Sequence, residues 1–328
     1  MSLLCSLSVL MVIFPHMALG SSELAAFQNF IKEFNKSYKD REEFQYRLSV
    51  FSGNLDVANR LGREDLGTAE YGVTKFSDLT DEEFSRNYLN PVSVLPPSTL
   101  TESRVEATPV LPSCDWRKAK VISPVRDQGK CGSCWAFASV GNIEAQYAIH
   151  GKPMNLSVQQ VLDCGPCDAG CKGGYGWDAY MTVLSEDGLV TETDYPYVGT
   201  TKHCMSRKLN KVGLIRDFIM LPKNEHEMAS YVGKNGTLTV CINATLLQHY
   251  KKGVFNPRTC SPNPTHMVLL VGYARDKDVP YWIAKNSWGH KWGENGYLRI
   301  ARGKNICGIT KYPLSAIVSG NQRITCPK

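Results

Sequence analysis

Apolar residues along this 328-residue chain change their period part-way, and that change restricts the fold more than any other feature. From Leu24 to Gly62 the period is helical. Phe27, Phe30, Ile31 and Phe34 make one stripe, and Phe44, Leu48, Phe51, Leu55 and Ala58 make another, which predicts two amphipathic helices. Glu43 and Arg47 stand one turn apart on the second helix, where such a pair adds a few tenths of a kcal/mol. Cys134 to Ile149 reads as a buried helix, with helix and loop continuing to Gly199. From Leu238 onward, short runs rich in β-branched and aromatic residues predict strands at Leu238 to Ile242, Met267 to Tyr273, Tyr281 to Lys285 and Tyr297 to Ala301. Asn295-Gly296 marks a turn between two of them. A helical half followed by a strand-rich half is the pattern of an α+β enzyme whose site lies in the cleft between halves.

Hydrophobic residues at 43% and charged residues at 21% describe a globular chain. The net charge of +6 is spread without a run of Lys or Arg, which argues against a nucleic-acid partner. Leu3 to Leu19 is largely apolar and ends in Ala18-Leu19-Gly20, so residues 1–20 read as a cleaved signal peptide, with a short membrane anchor as the alternative. No later stretch is apolar enough to span a bilayer. Residues Asn90 to Pro112 are rich in Pro, Ser, Thr and Val without a period and read as an exposed connector open to proteolysis. The expected division is therefore signal 1–20, prosegment 21–109 and a main domain 110–328, with the processed chain starting between Glu106 and Pro112.

Of twelve cysteines, Cys5 lies in the signal-like segment, and the eleven that remain fit an oxidising compartment. An odd number leaves at least one thiol unpaired. The segment Gln128-Gly129-Lys130-Cys131-Gly132-Ser133-Cys134-Trp135 places Cys134 at a helix N-terminus, where a thiolate is favoured. Read alone, Cys131 and Cys134 could be a redox pair, although no βαβ pattern surrounds them. Cys164, Cys167 and Cys171 could be zinc ligands, although no fourth ligand follows at a familiar spacing. His266 alone could be a hydrogen-bonded core histidine.

Together, Cys131-Gly132-Ser133-Cys134-Trp135 and the downstream His266 and Asn286 resemble the papain-like cysteine proteases. The resemblance implies a two-domain papain-like fold, with a helical left domain, a β-barrel-like right domain and a helical inhibitory prosegment. It also implies a Cys134 nucleophile and a His266 base resting as thiolate and imidazolium, with Asn286 orienting the imidazole and Gln128 serving as oxyanion-hole donor. Trp288 would shield the His–Asn hydrogen bond. Glu43, Arg47, Phe51, Asn54 and Ala58, then Gly72, Thr74, Phe76 and Asp78, resemble two prosegment motifs, so the chain would be made inactive and loosened by acid. Four further segments, at 64–70, 113–118, 217–221 and 307–311, narrow the likeness to one branch of the cathepsins.

By the same resemblance, bridges should join Cys131 to Cys171, Cys164 to Cys204, and Cys260 to Cys307. Cys114, Cys167, Cys241 and Cys326 lie outside the shared pattern; a Cys114–Cys326 bridge is a guess. Gly173 and Gly174 should present bare backbone to an extended peptide. Tyr175, Gly176, Cys241, Pro264, Met267 and Tyr312 should wall the pocket for the second residue before the scissile bond, made shallow by Met267 and Tyr312 and favouring Leu or Val over Phe or Arg. Thr265 departs from the Asp or Asn usual before the histidine. No exopeptidase feature is present, and no metal or cofactor is implied.

Expected partners are protein or peptide substrates, the chain's own prosegment and cystatin-like inhibitors. The expected location is the secretory pathway: the lysosome, the endoplasmic reticulum lumen or the cell exterior. Sequons at Asn35, Asn155, Asn235 and Asn243 are glycosylation candidates. The competing reading is a catalytically weak relative that acts as a binding or regulatory protein.

Overall fold

A computed structural model describes residues 21–90, 97–98, 100–103, 110–165, 170–320 and 324–328. The signal-like segment, the middle of the connector with most of the expected processing region, and Cys167 fall outside these residues.

Three helices make the prosegment: α1 (Ser21–Glu33), α2 (Arg41–Glu64) and, after a short strand β1 (Glu70–Tyr71), α3 (Asp81–Tyr88). The two predicted stripes meet face to face, for Phe27 and Phe30 of α1 pack their rings on Phe51 of α2 at 5.2 and 5.1 Å. Asp40 caps α2 by accepting from Glu43 N at 2.8 Å. Arg47 does lie near Glu43, at 3.9 Å, but its guanidinium is committed elsewhere. It donates to both carboxylate oxygens of Glu83 at 2.6 and 3.0 Å and to the Asp78 carbonyl at 2.9 Å, tying α2 to α3. Helix α3 was not foreseen, because eight residues are too few for a clear period. Its signal is the capping box in which Thr80 Oγ1 accepts from Glu83 N and Glu83 accepts from Thr80 N.

The main domain runs β2 (Cys114–Asp115), α4 (Cys134–Ile149), α5 (Val158–Cys164), α6 (Gly176–Ser185), β3 (Asp217–Met220), α7 (Glu225–Asn235), β4 (Leu238–Ile242), β5 (Tyr250–Lys252), β6 (Val254–Phe255), β7 (His266–Asp276), β8 (Val279–Lys285), β9 (Tyr297–Ala301) and β10 (Leu314–Ile317). Its strands hydrogen-bond in the order β3-β10-β4-β7-β8-β9-β6, with β2 paired to β7. Helix α4 is buried along nearly its whole length between α5 and α6 on one side and β7 and β10 on the other. Two of its interior polar residues, Asn142 and Glu144, are satisfied internally. Asn142 donates to the Thr237 carbonyl at 2.9 Å and accepts from Tyr180 Oη and Ala316 N, linking the helical and strand halves. Glu144 accepts from Arg126 and from Ser123, which in turn accepts from the buried Lys285 ammonium at 2.9 Å. Asn295-Gly296 does turn the chain, with φ of 54° and 87°. It closes a loop from 286 to 296 and is not a direct hairpin between β8 and β9.

Strand β1 of the prosegment pairs antiparallel with β5 of the main domain. Gln248 then anchors the descending chain: its carbonyl accepts from Thr74 Oγ1 at 2.6 Å and its amide donates to the Leu79 carbonyl at 2.8 Å. Phe76 and Phe84 meet Trp288 edge-on at 5.2 and 5.4 Å, so prosegment and main domain share one apolar core.

Phe51 is fully buried, and its truncation to alanine is expected to cost the prosegment about 3–5 kcal/mol. Thermal denaturation of the full chain should then show an early transition that the wild type lacks. An unshifted single transition would contradict this packing account.

Candidate active site

Cys134 is the first residue of α4, so its side chain sits at the positive end of the helix dipole. The thiol is fully buried and unpaired, and its Sγ accepts from Met267 N at 3.4 Å. His266, the residue before Met267, opens β7 beside this contact. His266 Nε2 lies 2.7 Å from Asn286 Oδ1, which also accepts from Ser287 N. An oxygen that already receives a backbone N–H is an acceptor, so the imidazole carries its proton on Nε2. Nδ1 has no hydrogen-bond partner among the described residues. Trp288 lies over the imidazole with centroids 4.5 Å apart.

Gln128 is held from three directions. Its Oε1 accepts from Ser287 Oγ at 2.6 Å, and its Nε2 donates to the Cys131 carbonyl at 2.8 Å and to the Tyr88 carbonyl at 3.2 Å. The last of these acceptors belongs to the prosegment, whose chain leaves α3 directly into this cleft. Beyond Tyr88, Asn90 donates its N–H to the Thr265 carbonyl and its side-chain amide to the Gly174 carbonyl. Tyr88-Leu89-Asn90 thus fills the groove above Cys134. The sequence reading placed these residues in the prosegment without a role and began the exposed connector at Asn90; Asn90 is instead buried, because its backbone and side chain both bond into the cleft.

Gly174 has no room for a side chain: a Cβ there would come within 2.7 Å of the Trp135 ring, and neighbouring Gly173 has φ of 120°. Tyr175 stacks on Trp177 at 4.2 Å, and Tyr312 meets both rings edge-on. Cys241 and Met267 are partners across β4 and β7, and the Met267 methyl reaches toward Gly176. Tyr175, Trp177, Cys241, Met267 and Tyr312 belong to one apolar cluster, whereas Pro264 is half-buried and not part of it, so the structure does not bring it to this wall. Thr265 Oγ1 accepts from Ala244 N at 3.0 Å, so this departure serves the local turn and leaves the imidazole untouched.

Bridges join Cys131 to Cys171, Cys164 to Cys204, Cys260 to Cys307 and Cys114 to Cys326, which leaves Cys134 and Cys241 as the free thiols among the described residues. With Cys131, Cys164 and Cys171 bonded, the redox and zinc alternatives both fall. Asn35 and Asn155 are exposed and Asn235 is half-buried. Asn243 corrects the sequence reading: it is buried and donates to the Asn263 carbonyl at 2.8 Å, so its amide has no space for a glycan.

Two family profiles match the chain: "Papain family cysteine protease" over residues 110–317 and "Cathepsin propeptide inhibitor domain (I29)" over residues 27–84. The chain belongs to the papain family of cysteine proteases. Cathepsin W of Mus musculus is 46% identical, over 92% of this chain and 89% of that protein. Cathepsin F of Mus musculus is 42% identical over 89% of this chain and 64% of that one. These two are the branch to which the four narrower sequence segments pointed. Among solved structures, a recombinant stem bromelain precursor superposes with a TM-score of 0.83 at 32% identity, covering 91% of this chain and all of that one. The matched inhibitor domain, residues 27–84, marks this papain-family protease as carrying its own propeptide, and the chain as a zymogen.

Burial under that propeptide changes the charge state expected of the pair. Desolvation pushes the Cys134 thiol up to about 12, against the opposing pull of backbone N–H groups from Met267, Trp135 and Cys134. Desolvation also drives His266 down to about 4, with Asn286 acting weakly in the other direction. Burial therefore opposes charge on both groups in the zymogen. His249 is lowered to about 4 as well, first by burial and then by Arg60 of α2. Its carbonyl accepts from Gly72 N of the propeptide, and its Nδ1 has no partner among the described residues.

A histidine held neutral in the docked state binds fewer protons than the same histidine in water. For His249, docking is therefore unaffected above the ordinary value of 6.5 and weakens as pH falls from there toward 4. Propeptide inhibition should decline through that window, by at most about tenfold per pH unit. His249→Gln should flatten the decline. Inhibition constants measured from pH 7 to 4 check this, and a flat wild-type profile would contradict it.

Proposed function

We propose that this zymogen matures to an endopeptidase in which Cys134 attacks the peptide carbonyl and His266 Nδ1 takes up and returns the proton. The observation that carries the reading is the His266 Nε2–H bond to Asn286 Oδ1 at 2.7 Å, beside a free thiol at the mouth of α4. It fixes the tautomer whose lone pair is on Nδ1, the nitrogen without a partner. Loss of the propeptide returns water to the cleft, removes the desolvation that holds both groups neutral, and lets the thiol proton pass to Nδ1. Attack yields a tetrahedral intermediate whose oxyanion is met by the Cys134 N–H and Gln128 Nε2. In the zymogen the Tyr88 carbonyl accepts from Gln128 Nε2, which supports this donor's role. The imidazolium then protonates the departing amine, and water attacks the thioester with Nδ1 as base.

Main-chain groups of Gly173 and Gly174 would pair with the substrate backbone, and the Tyr175, Cys241, Met267 and Tyr312 cluster would take an aliphatic side chain before the scissile bond. Its close packing supports Leu or Val there. Four disulfides support passage through an oxidising secretory compartment. Proteins are the proposed substrates, with cystatin-like inhibitors as partners by kinship.

Cys134→Ala should abolish cleavage and labelling by an epoxide inactivator, and Gln128→Ala should lower kcat by about 10²–10³-fold while leaving labelling measurable. A processed, folded wild-type protein that neither cleaves a peptide library nor takes up the epoxide would sink the reading. A library profile dominated by Phe or Arg at the second position would remove the pocket assignment alone.

A further inference from the structure

We propose that Asp127 and the Trp288 carbonyl form a subsite for a basic substrate residue on the C-terminal side of the scissile bond, a place that the propeptide fills with its own Lys75. The Lys75 ammonium lies 2.5 Å from Asp127 Oδ2 and 3.1 Å from the Trp288 carbonyl. Both acceptors belong to the main domain and are held there without the propeptide. Asp127 Oδ1 accepts from Gly129 N at 3.0 Å, which turns Oδ2 outward. The two loops are joined by Gln128 N to the Ser287 carbonyl at 2.8 Å and by Gly289 N to the Arg126 carbonyl at 3.1 Å. A Cβ on Gly289 would stand 2.8 Å from Asp127 Oδ2, so the glycine keeps that oxygen open. In the zymogen a cavity of about 430 Å³ lies beside the pair, with Val125, Asp127, Trp288 and His290 on the main-domain side and Phe34, Lys36 and Tyr88 of the propeptide on the other.

The side of the cleft follows from the path of the propeptide. It runs from Lys75 and Phe76 at Trp288, past Tyr88 at Gln128, to Asn90 at Gly174. Asp127 and Gly174 therefore flank Cys134 from opposite ends, and the subsite faces the half of a substrate that leaves first. The assignment rests on the protease reading above. His290 and Lys291 line the same cavity, so the wider field does not attract a cation. The contact itself must carry the preference, and with the Asp127 side chain 44% exposed the effect is modest.

The test uses processed enzyme and internally quenched peptides with Leu at the second residue before the cleaved bond. Lys, Gln or Glu is varied at each of the first few positions after that bond. At one position kcat/KM should run Lys above Gln above Glu, by about two- to fivefold per step. Asp127→Asn should bring the Lys-to-Gln ratio close to one while the Leu-to-Phe ratio before the bond keeps its wild-type value. In the wild type, about 1 M salt should shrink the Lys preference, a readout that needs no variant. Peptides cleaved with no Lys preference at any position, or a preference unmoved by Asp127→Asn or by salt, overturn the subsite alone. No cleavage of any peptide overturns the protease reading on which it rests.

Discussion

Everything in this molecule is arranged around a single sulfur that must stay unpaired at the end of a buried helix. Helix α4 is enclosed by both halves of the main domain, so Cys134 can be reached only along the groove between them. The strand half delivers His266 to that groove at the start of β7, and Met267 N, one residue on, touches the sulfur. Loss of the contact between α4 and β7 would leave a buried thiol with no base, which is chemically inert. The polar residues that pin the two halves together, Asn142 and Glu144, are on α4 itself, so the helix carrying the nucleophile is also the element that fixes the base's position.

The propeptide uses the same groove and the same hydrogen-bond donors that a substrate needs. It reaches them with a rigid entry rather than a loose plug: β1 adds to β5, Gln248 grips the chain on either side of Phe76, and the Arg47–Glu83 pair sets the angle at which α3 points into the cleft. Two propeptide rings, Phe76 and Phe84, then close over Trp288, and burial of the site opposes charge on Cys134 and His266. Inhibition is thus steric and electrostatic at once. A covered pair that cannot hold its charges is silent even where the chain above it moves.

Much of this was legible in residues alone, for identifiable reasons. The stripes of α1 and α2 are long enough to show a 3.6 period, and β4 and β9 match their predicted limits because β-branched runs end at polar or glycine positions. Strand β7 runs further than expected, to Asp276, because Lys277 adopts φ of 51° and makes a tight turn into β8 without glycine or asparagine. Strand β2 is two residues long and exists only because β7 is beside it. Cys134, His266 and Asn286 could be picked out by type and spacing. The support of Gln128 by Ser287, 159 residues away, could not, nor could the Lys75–Asp127 pair. Contacts of that range leave no local trace, and the charge state of the site depends on what covers it.

The central claim is that cover, not composition, sets the charge on Cys134. It is tested most directly by the rate of Cys134 alkylation with iodoacetamide as a function of pH, in the zymogen and in the processed enzyme. The account predicts fast alkylation of the processed enzyme down to mildly acid pH, as a thiolate gives, and near-absent alkylation of the zymogen at neutral pH. Equal rates and equal pH profiles in the two forms would contradict it.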